Sequence, residues 1–156
     1  MFKQILVALD ESPYSQRALP TAIAIAKKFE GEIFVVHVSE HDMGRAAAFS
    51  MESPAEATKL VADAVESTRK AGVKASGLVI DAGAQHTAKY ILETAREKGA
   101  GLIVMGSRGL SDVQGMLLGS VTHKVIQTAN IPVLVDRAPL GAEPVFEPRN
   151  LKLVNV

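Results

Sequence analysis

Leu102-Ile103-Val104-Met105-Gly106-Ser107-Arg108-Gly109 passes from four apolar residues into a glycine-rich stretch, which runs on to Gly119-Ser120-Val121-Thr122. The apolar four read as a buried strand, and Val121, Val125, Ile126 and Ala129 recur at helical spacing. The segment is therefore strand, loop, helix. Two glycines three apart at the strand's exit permit positive backbone angles and close approach of a ligand. Their amides can form an anion-binding concavity. Where Gly119-Ser120 opens the helix, free amides and the positive dipole end suit phosphate. The hydroxyls of Ser120 and Thr122 can add donors or help hold a metal ion on a triphosphate. A loop needs glycines with or without a ligand, and Ser120 can serve simply as an N-cap. Taken whole, in its strand–loop–helix setting, the pattern favours phosphate.

The same alternation extends in both directions. Phe2–Leu9 is a short apolar strand ending at Asp10, and Ser12-Pro13 follows as N-cap and first helical residue. Helix one is expected over residues 13–30, with Pro20 kinking it and Gly31 closing it. Glu32–Val38 reads as strand two and Ser39–Glu52 as a long connection. Ser53-Pro54-Ala55-Glu56 is a capping box opening a second helix, which ends at Gly72. Val73–Ile80 reads as strand three, Asp81–Gln85 as a loop, and Ala88, Ile91, Leu92 and Ala95 mark a third helix ending near Gly99. Ile131–Val135 is strand five. Arg137–Val156 carries Pro139, Gly141, Pro144 and Pro148 and reads as an extension, with residues 1–137 as the domain and 138–156 outside it.

Apolar strands separated by helices imply a parallel sheet covered on both faces. The expected fold is α/β: an open, Rossmann-like, five-stranded parallel sheet of order 3-2-1-4-5. Ligands of such sheets bind beyond the carboxyl ends of the strands, where strand order reverses. Asp10 and the Gly106 loop both fall at carboxyl ends and would face one crevice.

Composition narrows the chemistry. The 156 residues carry 17 Lys plus Arg and 17 Asp plus Glu, which excludes a broad nucleic-acid-binding surface but not a local anion site. Cys and Trp are absent, so disulfides, thiolate metal sites and a catalytic Cys are excluded. No apolar run is long enough for a membrane span or a signal-peptide core, which predicts a cytoplasmic protein. His37, His41, His86 and His123 do not share a metal-binding spacing on one helix face. No Gly-x-Ser-x-Gly elbow exists, and no catalytic residue is assigned.

The pattern Gly-x2-Gly-x9-Gly-Ser after Leu-Ile-Val-Met resembles the signature of the universal stress protein family, ATP-binding branch. The opening Ile-Leu-Val-Ala-Leu-Asp, the Val-His-Val of strand two and the closing Ile-Pro-Val-Leu-Val stand in their expected places, so the resemblance covers residues 2–137. It implies Asp10 near the ribose hydroxyls or a metal ion, and Val38 meeting the adenine edge through its backbone. Met105 and Gly106 would line base and ribose, and Arg108 and Gly109 would approach the phosphates. Gly119, Ser120, Val121 and Thr122 would hold the phosphate chain. A turn or cap role for Asp10 is the lesser reading given its place at the switch point, and Val38 and Met105 can equally be core. Two departures, Gly101 in place of an acid and a longer loop at Gly83–Thr87, bear on the pocket rim.

The resemblance implies a sensor or switch that binds ATP with Mg²⁺, forms a homodimer through strand five, and acts on an unidentified regulatory protein partner. A slow ATPase or autophosphorylating switch, with Ser111, Ser120 or Thr122 as acceptors, is the alternative. A nucleotide-free interaction module is a further one. The Ser39–Glu52 segment is a candidate lid over the base, and the tail a candidate clasp on the partner subunit.

Overall fold

The computed structural model describes residues 1–40, 52–82, 86–108 and 118–137. Five strands and four helices alternate: β1 (Gln4–Ala8), α1 (Pro13–Phe29), β2 (Glu32–Glu40), α2 (Pro54–Lys70), β3 (Ala75–Ala82), α3 (Thr87–Glu97), β4 (Leu102–Gly106), α4 (Ser120–Thr128) and β5 (Val133–Asp136). The sheet has the expected order, β3-β2-β1-β4-β5, and every pairing is parallel.

Alternate side chains along each strand enter two separate cores. Ile5, Val7, Ile33, Val35, Leu102 and Val104 pack with Ala18, Ala22 and Ala26 of α1 and with Val61 and Ala64 of α2. Leu6, Ala8, Phe34, Val36, Val38, Ile103 and Met105 pack on the other face with Ala88, Ile91 and Ala95 of α3 and Val125 of α4. Ile5, Leu6, Ile33 and Ile103 are almost wholly enclosed. Each contributes about 1.5–3 kcal/mol by leaving water.

The helix starts follow local chemistry. Ser12 accepts from Ser15 N at the start of α1, with Pro13 at the first helical position. Ser53 and Glu56 form the reciprocal capping box of α2. The backbone hydrogen bond from Ser53 holds the Glu56 carboxyl below the usual glutamate range. The helix continues through Pro20.

Several boundaries differ from the sequence expectation. β3 runs to Ala82, so Asp81 lies in the strand rather than in a loop. The reason is its partner: β2 extends to Glu40 and keeps pairing with β3 as far as Ala82. β5 begins only at Val133. Gly31 does not supply the left-handed turn after α1; Glu30 does, at φ 51°. Gly31 is instead demanded by crowding, since a Cβ there would stand 2.4 Å from the Phe2 carbonyl oxygen.

Candidate functional site

β1 lies between β2 and β4, so the chain's two crossover directions part there, and the carboxyl ends of β1 and β4 lie side by side where sheets of this order bind ligands. From the β1 end, Asp10 turns into α1. Its Oδ1 accepts from Ser12 N at 3.0 Å and from Ser12 Oγ at 2.5 Å. Asp10 thus has the turn role open to it from sequence, and half-buried Asp10 keeps its second oxygen, Oδ2, outside that turn. The same Ser12 hydroxyl, its one proton shared with Asp10 Oδ1, lies 3.2 Å from the Arg108 carbonyl oxygen, which sets the exit of β4 beside the first turn of α1.

Gly106 is pressed against the same turn. A Cβ there would stand 2.7 Å from Ser15 N and Tyr14 C and 2.9 Å from Tyr14 O, all backbone atoms. The glycine is therefore required by the seating of β4 on α1, whatever else approaches it. Its carbonyl accepts from Thr122 Oγ1 at 3.0 Å. That bond commits the proton of the buried Thr122 hydroxyl to the fold, so the donor Thr122 has left for a phosphate is its backbone amide.

α4 is fixed to the same strand end by Gly119 N donating to Ser107 O at 2.8 Å, while Ser107 N donates to Asp136 O at 2.9 Å. Gly119 is the N-cap, with φ −69° and ψ 155°, and among the described residues no side chain caps the helix. Ser120 therefore sits one residue inside the helix and is not its cap. The amides of Ser120, Val121 and Thr122 have no carbonyl partner within the helix, and the helix dipole adds positive potential there.

Val38 and Met105 are buried in one core together with Ala8. The β1–β2 pairing stops at Ala8–Val36, and continuing that register brings Asp10 level with Val38. Arg108 is half-buried, its guanidinium carbon 5.6 Å from the centre of the Tyr14 ring. The structure thus brings Asp10, Gly106, Arg108, Gly119 and Thr122 together around the ends of β1 and β4. Gly109 and Ser111 lie outside the described residues, as do 41–51 of the candidate lid and 138–156 of the tail.

One pair escapes sequence reading. His37 is 4% exposed. Its Nδ1 meets the Leu9 carbonyl oxygen at 2.8 Å, and its Nε2 meets Glu52 Oε2 at 2.7 Å. A carbonyl only accepts, so Nδ1 donates to Leu9 O, which leaves Nε2 to face the Glu52 carboxyl. The residues are 15 apart in sequence, with no local pattern to join them. The Val-His-Val stretch marks the strand but not the partner. Among the described residues no group of three or more His, Asp or Glu gathers as a metal site, and no helix is long and apolar enough to cross a membrane.

The comparisons with known proteins agree with this architecture. A family model described as the Universal stress protein family matches residues 1–137. Universal stress protein YxiE of Bacillus subtilis (strain 168) is 34% identical over 151 residues, covering 88% of this chain and 100% of that protein. The structure of a universal stress protein from Archaeoglobus fulgidus superposes with a TM-score of 0.68 at 27% identity, covering 87% of this chain and 99% of that one. The structure of the universal stress protein from Archaeoglobus fulgidus in complex with dAMP gives a TM-score of 0.64 at 25% identity, covering 87% of this chain and 98% of that one.

Proposed function

The chain belongs to the universal stress protein family, and from that premise we propose that it is a cytoplasmic, ATP-binding regulatory protein whose nucleotide-bound state is its signal. The observation that carries this reading is the start of α4. Its cap is a glycine, so among the described residues the first-turn amides have no side-chain cap, and the turn is anchored to the exit of β4 at the reversal point of the sheet. A phosphate chain supplies the missing acceptors.

The other residues fit the rest of an adenine nucleotide. Val38 would meet the adenine edge through its backbone, and Met105, buried beside Ala8, would line the base. Asp10 offers a carboxylate oxygen to the ribose hydroxyls, and Arg108 offers the positive charge. By the family resemblance Gly109 would approach the same phosphates. A bound Mg²⁺ neutralises phosphate charge, and Asp10 and the exposed Ser120 hydroxyl are the groups of this chain that would meet it. The dAMP held by the Archaeoglobus fulgidus relative supports an adenine nucleotide as the ligand class.

Among the described residues β5 is an edge of the sheet, paired to β4 alone. A second copy pairing there would satisfy its open edge, which supports a homodimer, with residues 138–156 as an extension that clasps the partner. The deciding experiment is to denature the purified protein and identify the released small molecules by mass spectrometry, followed by ATP titration of the emptied protein. Released ATP, or binding after refolding, is the expected result. Nothing released and no ATP binding at millimolar concentration refutes the proposal.

A further inference from the structure

The first turn of α1 does more than begin a helix. Through Ser12 Oγ it reaches the carbonyl of Arg108, and through the Tyr14 ring it reaches the guanidinium of the same residue. Backbone and side chain of Arg108 are thus both referred to one turn, which is itself locked against Gly106. Arg108 is the one cation among the residues placed around the crevice. It stands near the positive end of α1, which by itself would push it outward. The face of the Tyr14 ring offsets that repulsion.

We propose that Tyr14 is a positioning residue for the nucleotide's phosphates: it holds the Arg108 guanidinium at the mouth of the crevice and so raises affinity in step with phosphate charge. The inference rests on the nucleotide-binding reading above. An arginine held by a ring loses less side-chain freedom on meeting a phosphate than one free in solvent. The benefit therefore appears with a triphosphate and not with a nucleoside.

Titration calorimetry with ATP and with adenosine, on the full chain and its variants, tests the idea. Tyr14→Leu is expected to weaken ATP binding about two- to fivefold, the range of an exposed to partly desolvated cation–π contact, and to leave adenosine unchanged. Tyr14→Phe keeps the ring and is expected to keep the wild-type ATP-to-adenosine ratio. In an Arg108→Gln background the Tyr14→Leu effect is expected to vanish, since the two act as a pair. An independent readout is the proton NMR signal of the Arg108 side chain, expected upfield in the wild type from the ring current and shifted back in Tyr14→Leu. If the wild type binds ATP but Tyr14→Leu leaves the ratio unchanged, or its effect persists with Arg108→Gln, the positioning role is overturned and the nucleotide reading stands. If the wild type binds neither ligand, both fall.

Discussion

Gly106→Ala is the most searching test of how the site is held. The added methyl would stand 2.7 Å from Tyr14 C and Ser15 N, where carbon–carbon contacts prefer about 3.5–4.0 Å. All three close neighbours are main-chain atoms in the first turn of α1, so no side chain can swing aside. The turn must move away from β4 by more than half an ångström. Overpacking of this kind costs about 1–3 kcal/mol, and at this chain length each kcal/mol lowers Tm by about 2–4 °C. The displaced turn carries Ser12 and, through it, Asp10 and the Arg108 carbonyl, so ATP affinity falls together with stability. Urea unfolding followed by far-UV circular dichroism gives the first quantity and calorimetry the second. Gly101→Ala is the informative control. Its methyl would meet the Met1 carbonyl oxygen at 2.2 Å, yet Met1 lies outside any strand or helix and is exposed, so that backbone can shift more readily than a helix turn packed on β4 and the expected loss is smaller. Gly106→Ala within about 0.5 kcal/mol of wild type, or no more costly than Gly101→Ala, would refute the reasoning.

Three further outcomes are expected. Gly119→Asp gives α4 a capping carboxylate where it has none. Helix stability should hold, while ATP binding loses at least one charge-assisted hydrogen bond of about 1.5–3 kcal/mol, read as a drop of more than tenfold in a calorimetric titration. His37→Ala strips Glu52 Oε2 and the Leu9 carbonyl of their partner and should cost about 1–3 kcal/mol in chemical denaturation, with Glu52→Gln milder because its amide can still meet the ring. Glu56 titrates below the usual glutamate range because Ser53 N donates to its charged form. Its support of the α2 cap is therefore complete above the unfolded-state value and lost as pH falls through the lowered folded one, which a carboxyl-carbon NMR titration with and without Ser53→Ala would show.

What could be read from sequence was what is local. Ser12-Pro13 and Ser53-Pro54-Ala55-Glu56 announce helix starts because their hydrogen bonds close within four residues. The two-core sheet was legible because every strand but β3 and β5 is apolar on both faces. β3 was misplaced at its ends for the opposite reason. Ser76, Gly77 and Leu78 are exposed, so hydropathy does not mark where pairing stops; the length of β2 decides that. In the site, the glycine spacing pointed to the right strand end and helix start. It did not reveal that Gly106 is shaped by α1, or that the Thr122 hydroxyl is spent on Gly106, since those contacts join elements far apart in the chain.

The two cores share no side chain, so substitutions in one should add to substitutions in the other. Gly106 is where that independence ends. Its α-carbon bears on α1, beneath one face, and its carbonyl is gripped by α4, beneath the other. A push on either helix start is felt by the other at this strand end, through Gly106 and through Ser107 and Arg108 beside it. The molecule is thus two compartments geared together at the exit of β4, and a ligand wedged there would be felt on both sides of the sheet at once.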